Sequence, residues 1–320
     1  MDIKHILKAG IKLFTDSNYR FSILSGKGFY NNMPDEEYLK LLYKAKVGKE
    51  LNLDNPQTFT EKLNWLKIYD HNPRYTMLAD KYQVRKWVAE TIGEEYLVPL
   101  LGVFDSADEI NFDLLPQKFA LKCTHNSGEG MCLCRDKSKL DRDNVVRRLN
   151  IALKKNYYPA GREWAYKNIV PRIICEEMLE CEQIDELLNT IVNYKFYCFD
   201  GEPKFLYVAI DNTENGKKNG TKLNILDLNW EKTPFYRTDH APINDEIKKP
   251  ADFDTMIDIS RKLAAGFPFA RVDLYYVNDK IYFSEMTFCP GAGIAPFFPP
   301  EWERKIGDWI TLPDKQRTVD

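Results

Sequence analysis

Three charged residues stand where a strand pattern would bury them. In RVDLYYVNDKIYFSEMTFCPGAG, residues 271–293, two runs rich in Val, Leu, Ile, Tyr and Phe flank Asn278-Asp279, a strand–turn–strand signal. Arg271 and Asp273 lie in the first run and Glu285 in the second. A buried carboxylate needs a cation or donors to compensate it. Side chains alternate along a strand, so Arg271, Asp273 and Tyr275 share one face, and Phe283, Glu285 and Thr287 share another. If those faces coincide, two carboxylates meet beside an Arg, and a cation between them relieves their repulsion. Mg²⁺ suits such a place, because it takes one or two carboxylates and completes its octahedron with water and phosphate oxygens. The plainer alternative is an Arg–Asp ion pair at the sheet edge with Glu285 in solvent. Register decides between them. A two-residue loop would pair Val277 with Lys280 and turn Glu285 away from Asp273. The expectation is therefore Val277 opposite Ile281, or a bulge that restores the parity. The two acids should then face one cleft ~3–6 Å apart, with Lys122 looking in from the other side.

Other stretches carry weaker signals of the same kind. Pro290-Gly291-Ala292-Gly293 permits tight turning and close backbone approach, leaving amides to meet an anion. In KFALKCTHNSGEGMCLC, residues 118–134, Lys122 leaves a strand next to the polar loop His125-Asn126-Ser127-Gly128-Glu129-Gly130. Such a Lys binds phosphate as a point charge while loop amides cradle it, although the Walker pattern is absent. His125 reads as a hydrogen-bonded loop residue rather than a base. In PRIICEEMLE a buried-looking strand ends at Glu176-Glu177-Met178-Leu179, where backbone groups could meet an adenine edge or the acids could simply be solvated.

The elements that must position these residues are legible in outline. Residues 1–16 form an amphipathic pattern, with Ile3, Leu7, Ile11 and Phe14 on one stripe and Lys4, Lys8 and Lys12 on another. Docking on the protein itself is the expected use, against contact with an acidic membrane surface. Helices are expected through Tyr38–Val47, over TEKLNWLKIY, and from NPRYTM to about Ile92. From Leu97 strands dominate: LVPLLGVF, KFALKCT, MCLCR, RIICEEML, IVNYKFYCF, PKFLYVAI, TKLNILDL and the hairpin. The helices LDRDNVVRRLNIALKKN and DFDTMIDISRKLAAG interrupt them. Strands in adjacent groups with few intervening helices indicate α+β rather than βαβ alternation.

Composition bounds the rest. The 320 residues are 44% hydrophobic and 29% charged, as expected of a folded globular chain. A net charge of −3 offers nothing to a nucleic acid. Seven cysteines without a repeating spacing read as reduced thiols, not as a structural zinc site, and suit the cytoplasm. No apolar run reaches the ~18–20 residues of a membrane span, and no signal-peptide pattern opens the sequence.

The order of the pieces carries more than any one of them. Asp80-Lys81 in a helix, Lys122 with its glycine loop, the EEML strand end, and RVD…SEMTFCPGAG follow in succession. This resembles the ATP-grasp superfamily, in which D-alanine–D-alanine ligase carries the same succession. With FTEKLNWLKIYD ahead and YKFYCFDGEPKF between, the spacing resembles the TupA-like branch, associated with teichuronopeptide and capsular polysaccharide synthesis. The resemblance covers about residues 55–300. It implies an α+β, two-lobed ATP-grasp fold with ATP between two subdomains, after a helical N-terminal extension. The divisions expected are 1–55 for the extension, 56–115 for a linking region, 116–185 for a nucleotide-binding subdomain and 186–320 for a catalytic one.

Carried over by position, the resemblance implies that Lys81 and Lys122 contact ATP phosphates under a covering loop of Asn126, Ser127, Gly128 and Gly130. Glu176, Glu177, Met178 and Leu179 would form the adenine hinge, through the backbone of Glu177 and Leu179. Asp273 and Glu285 would ligate Mg²⁺, joined by Thr287 where the family usually has Asn. Arg271 and Lys195 would serve the transferring phosphoryl group. Asp185 and Asn193 compete for the ribose. The implied activity is a carboxylate–amine ligase that passes through an acyl-phosphate and takes a small-molecule or polysaccharide-precursor carboxylate and an amine. Its site should close against water, for which KNYYPAGREWAYKN, residues 155–168, is a candidate lid or sugar-stacking surface, or else an aromatic satellite core. The rival is a glycosyltransferase using a nucleotide sugar. Asp141-Arg142-Asp143 fits the DxD letters, but it opens a helix, where Asp is expected as a cap.

Overall fold

The computed structural model describes residues 12, 14–126, 130–180, 191–214 and 217–315, with backbone only at 211–214 and 217–219. Residues 1–11, most of the expected amphipathic helix, lie outside the described residues. Two compact units appear. The smaller comprises residues up to His71 with 157–164 and 289 onward, and the larger comprises Asn72–Asn156 and Ala165–Phe288.

In the smaller unit, Asp16 caps a helix over Ser17–Gly26, accepting from the amides of Asn18 and Tyr19. The sequence pattern alone marks no element there. The next helix, Asp35–Val47, begins earlier than expected, because three acids suit its first turn and Gly48 ends it in the left-handed region. The helix Phe59–Tyr69 starts on a capping box: Thr58 accepts from the Glu61 amide at 3.3 Å, and Glu61 accepts from the Thr58 amide at 2.9 Å. Its buried stripe includes Thr60, Leu63, Asn64 and Lys67.

In the larger unit, the helix expected from NPRYTM to Ile92 is two, Arg74–Ala79 and Val84–Thr91. The break is at Asp80, whose carboxylate accepts from the amides of Tyr82 at 2.8 Å and Gln83 at 3.3 Å, so the backbone turns instead of continuing. Four strands follow: β1 (Leu100–Phe104), β2 (Phe119–Cys123), β3 (Met131–Cys134) and β4 (Ile173–Glu177), paired antiparallel in the order β1-β4-β2-β3. Helix Arg142–Leu153 sends Val145, Leu149 and Ala152 into the core under this sheet, beside Phe119, Leu121 and Cys175. A second antiparallel sheet joins β5 (Asn193–Phe199), β6 (Glu202–Glu214), β7 (Lys217–Asp227), β8 (Phe269–Val277) and β9 (Lys280–Thr287) in the order β7-β6-β5-β8-β9. Helix Phe253–Ala264 packs on β5, β6 and β8 through Phe253, Met256, Ile259, Leu263 and Ala264, an i, i+3, i+4 stripe. No described helix is long and apolar enough to cross a membrane.

Candidate active site

A cavity of about 430 Å³ opens within the larger unit. Lys122 on β2, Met131 and Leu133 on β3, and Glu176 and Glu177 on β4 line it from the four-stranded sheet. Asn193 and Lys195 on β5, Tyr275 on β8 and Glu285 on β9 line it from the five-stranded sheet. Lys81, Arg85, Met178, Leu179 and Ile191 also line it.

The hairpin that places Glu285 differs from expectation at its tip. Asn278 and Asp279 both lie in the left-handed region, at φ 51° and 55°, so the loop has two residues and Val277 pairs with Lys280. The three-residue loop does not form. Parity is restored further along, where Asp273 pairs with Glu285 and Leu274 with Phe283, leaving Ser284 as the extra residue of a β-bulge. The two acids therefore share a face.

Arg271 sits between them. Its Nε donates to Asp273 Oδ1 at 2.6 Å; its Nη2 donates to Asp273 Oδ2 at 2.8 Å, Glu285 Oε1 at 3.2 Å and Thr287 Oγ1 at 3.0 Å. Since one nitrogen touches both acids, their bonded oxygens lie no farther apart than those two contacts allow. Lys195, which pairs with Asp273 across β5 and β8, donates to Asp273 Oδ2, and Lys81 Nζ stands 3.8 Å from Glu285 Oε2. Asp273 is fully buried and does not line the cavity, whereas the Glu285 side chain is 28% exposed and does. Only one acid of the expected pair thus opens on the cleft, because a carboxylate sealed from water requires cations of its own. The Thr287 hydroxyl is taken up by Arg271. Burial pushes the Glu285 carboxyl up, but Lys81, Lys195 and Arg271 outweigh it and hold the group at about 2. Burial likewise opposes the Arg271 charge, and Asp273 more than restores it.

The remaining residues divide between ligand-facing and structural places. Lys81 Nζ donates to Asn126 O at 2.6 Å. Gly130 has φ 64°, and a Cβ there would meet Cys123 Sγ at 2.5 Å and Ala152 Cβ at 2.6 Å, so close packing demands a glycine. Ser127 and Gly128, expected in the covering loop, and Asp185, expected near the ribose, lie outside the described residues. Met178 and Leu179 border the cavity. The Glu177 amide is committed to Pro99 O at 3.0 Å, which leaves its carbonyl, not its N–H, for a hinge contact. Glu176 turns its carboxylate into the charged cluster, accepting from Lys122 Nζ and Arg85 Nη1, each at 2.8 Å. Burial would lower the Lys122 pKa, but Glu176, with Tyr275 and Glu285, raises it. Asn193 Oδ1 is buried and without a hydrogen-bond partner, although the residue lines the cavity.

Three sequence alternatives are decided by contacts. Asp141 accepts from the Asn144 amide at 3.1 Å and caps its helix, so the DxD letters mark a cap. His125 is buried, bonded through Nε2 to Lys155 O at 3.1 Å, and burial lowers its pKa. Within the smaller unit, Tyr158 donates to Asp35 and Trp164 stacks on His71 at 3.8 Å, so that part of the aromatic segment is packed core rather than lid.

Two residues escaped the sequence reading. Lys67 is buried in the smaller unit and donates to Gly161 O at 2.9 Å and Ala292 O at 2.8 Å, while Asn64 Nδ2 donates to Gly293 O at 2.7 Å. Together they hold a turn in which Gly291, Ala292 and Gly293 are all left-handed. The signal was a Lys on the apolar stripe of its helix, four residues after Leu63. The other residue is Arg85, one position off the stripe made by Val84 and Val88.

The sequence profile of the TupA-like ATP-grasp family matches residues 61–311. The chain belongs to this family. Its fold is accordingly the ATP-grasp fold, α+β, with helices preceding the matched region. Similar solved structures include D-alanine–D-alanine ligase from Bacillus anthracis, at 12% identity and a TM-score of 0.42, over 92% of this chain and 93% of that one. D-alanyl-alanine synthetase A from Vibrio cholerae O1 biovar eltor str. N16961 shares 11% identity, with a TM-score of 0.37, over 74% and 58%. The ATP-grasp ligase PsnB, complexed with minimal precursor, shares 13% identity, with a TM-score of 0.38, over 71% and 59%. The chain thus spans less than two thirds of the PsnB and Vibrio chains. No curated protein matches the sequence. Membership rests on the family match.

Proposed function

We propose that this protein is an ATP-dependent carboxylate–amine ligase, acting in the cytoplasm on a precursor of a cell-surface polysaccharide or teichuronopeptide. The observation that carries the reading is the convergence of Lys81, Lys122 and Lys195 on one cavity with Glu285 and the Glu177–Leu179 edge. Its size falls within the ~300–1,000 Å³ common for small-molecule sites. Lysines from both sheets suit a polyphosphate, the hinge edge and the apolar Met131, Leu133 and Met178 suit a base, and the orphaned Asn193 Oδ1 suits a ribose hydroxyl.

The same residues fit Mg²⁺ only as a metal–nucleotide site. Among the described residues no group of three or more His, Cys, Asp or Glu side chains could hold a metal. Glu285, which opens on the cavity, would supply the protein ligand, and phosphate oxygens and water the rest, as Mg²⁺ prefers. The sealed Asp273 would anchor Arg271 and Lys195 beside it. The metal would neutralise charge on the transferring phosphoryl group. In the proposed reaction a substrate carboxylate oxygen attacks the γ-phosphorus and ADP leaves. An amine then attacks the acyl carbon, phosphate leaves, and the amine gives up a proton as the amide forms. Lys81, Lys122 and Lys195 hold phosphates, and Arg271, bridging both acids, keeps Glu285 in register and adds positive charge behind it.

The test is product analysis with panels of carboxylates and amines. ADP and phosphate should appear only when a carboxylate acceptor is present. AMP and pyrophosphate would mean adenylation instead. Release of UDP from a UDP-sugar, with ATP irrelevant, would make the protein a glycosyltransferase.

A further inference from the structure

Glu176 carries two cations at once. Lys122 holds one carboxylate oxygen and Arg85 Nη1 the other, both at 2.8 Å. Arg85 Nη2 also donates to Val98 O at 2.7 Å, so its fork ties helix Val84–Thr91 to β4 and to the cavity-lining stretch at Leu97-Val98. The Glu176 side chain is only 8% exposed, whereas that of Lys122 is 25% exposed and reaches the cavity. One carboxylate cannot neutralise two cations, and the group keeps a net positive charge beside the cavity. Without Arg85, Glu176 and Lys122 become a one-to-one pair whose charges cancel, and an incoming anion would have to break it. Without the carboxylate, Lys122 loses the contact that aims it.

We propose that Arg85 is a positioning residue for an anionic nucleotide: by sharing Glu176, it keeps Lys122 fixed at the cavity wall with its charge available to phosphate. The inference rests on the nucleotide reading above, and it adds a residue that acts through another. Arg85 also lines the cavity, so the competing explanation is direct contact with the ligand.

A double-mutant cycle separates them. Binding of a non-hydrolysable ATP analogue with Mg²⁺ is measured by calorimetry for wild type, Arg85→Met, Glu176→Gln and the double variant. Arg85→Met should weaken binding about tenfold, while the double variant should bind within about twofold of Glu176→Gln alone, because the Arg acts through the lost carboxylate. Arg85→Lys should recover part of the loss, keeping the charge but not the fork. It also replaces Arg85→Met in the cycle if that variant does not fold. In turnover, KM for ATP should rise and kcat should hold. Wild-type affinity in Arg85→Met overturns the inference, as do losses that multiply in the double variant, the mark of a direct contact. A wild type that binds no nucleotide overturns the nucleotide reading itself, a distinguishable result.

Discussion

Glu285 shows what the site's charges do to a single group. Three cations face it, and its carboxyl is held at about 2 against an ordinary value of 4.5. A depressed carboxyl pKa contributes stability that is fully present above the unfolded value and is lost as pH falls through the folded one. Glu285 should therefore stabilise the larger unit above about pH 4.5 and lose that contribution between there and about pH 2. Glu285→Gln should cost ~1–2 kcal/mol at neutral pH, the scale of hydrogen bonds to charged groups. The gap between variant and wild type should shrink as the pH is lowered through this window. Urea midpoints at pH 7 and pH 3 check it, and a gap of equal size at both would mean that the cations do not act on this carboxylate.

At the scale of the element, the β8–β9 hairpin is where sequence and structure part most instructively. Alternation correctly put Arg271 with Asp273 and Glu285 with Thr287, and two acids in strands signalled a compensated site. The tip geometry was misjudged because Asn-Asp accepts left-handed φ at both positions and so closes a two-residue turn. The bulge at Ser284 has no signature of its own, since a serine sits equally well in a regular strand. The sealing of Asp273 was hidden for another reason: Lys195 lies 78 residues away and reaches it only through the pairing of β5 with β8. Lys81 and Lys122 were readable as charged residues beside predicted elements. Arg85 was not, because an arginine flanking an apolar stripe is ordinary helix surface until its partner is known. The bulge makes a sharp prediction. Ser284→Ala should keep Asp273 paired with Glu285 and leave Mn²⁺ binding within about threefold of wild type, because at the bulge the residue contributes backbone length even though it borders the cavity. Deleting Ser284 should leave a regular ladder with Glu285 still opposite Asp273, so nucleotide-dependent binding of Mn²⁺, followed by electron paramagnetic resonance, should persist. Glu285→Ala should abolish it while circular dichroism keeps the sheet signal. Mn²⁺ binding that survives Glu285→Ala would mean that Glu285 is no metal ligand.

At the scale of the whole molecule, the chain is not a string of separable blocks. The smaller unit draws on the N-terminal stretch, on 157–164 and on the residues from 289 onward. These pieces are joined by buried polar contacts. Arg162, 2% exposed, donates through Nη2 to Tyr30 O at 2.7 Å and Asn31 O at 3.1 Å. Glu303, 7% exposed, accepts from Thr60 Oγ1 at 2.7 Å and from the Phe297 amide at 2.8 Å. Lys67, as above, holds one carbonyl in each of the other two pieces. A truncation that starts at Asn72 would keep every strand of both sheets, yet it would strip Arg162 and the 290–293 carbonyls of these partners and uncover the apolar side of the C-terminal segment at Phe297 and Ile306. Uncompensated buried charges and newly exposed apolar surface are among the most destabilising changes available. Residues 72–320 alone should therefore express as aggregate or unfold without cooperativity, although the proposed nucleotide cavity lies wholly within them. Co-expression with residues 1–71 as a separate chain should restore soluble protein, because the contacts need proximity and not covalent continuity. Soluble yield and the sharpness of thermal unfolding decide the matter. A soluble, cooperatively folding 72–320 fragment would show that the three-piece unit is an accessory to the fold and not a condition of it.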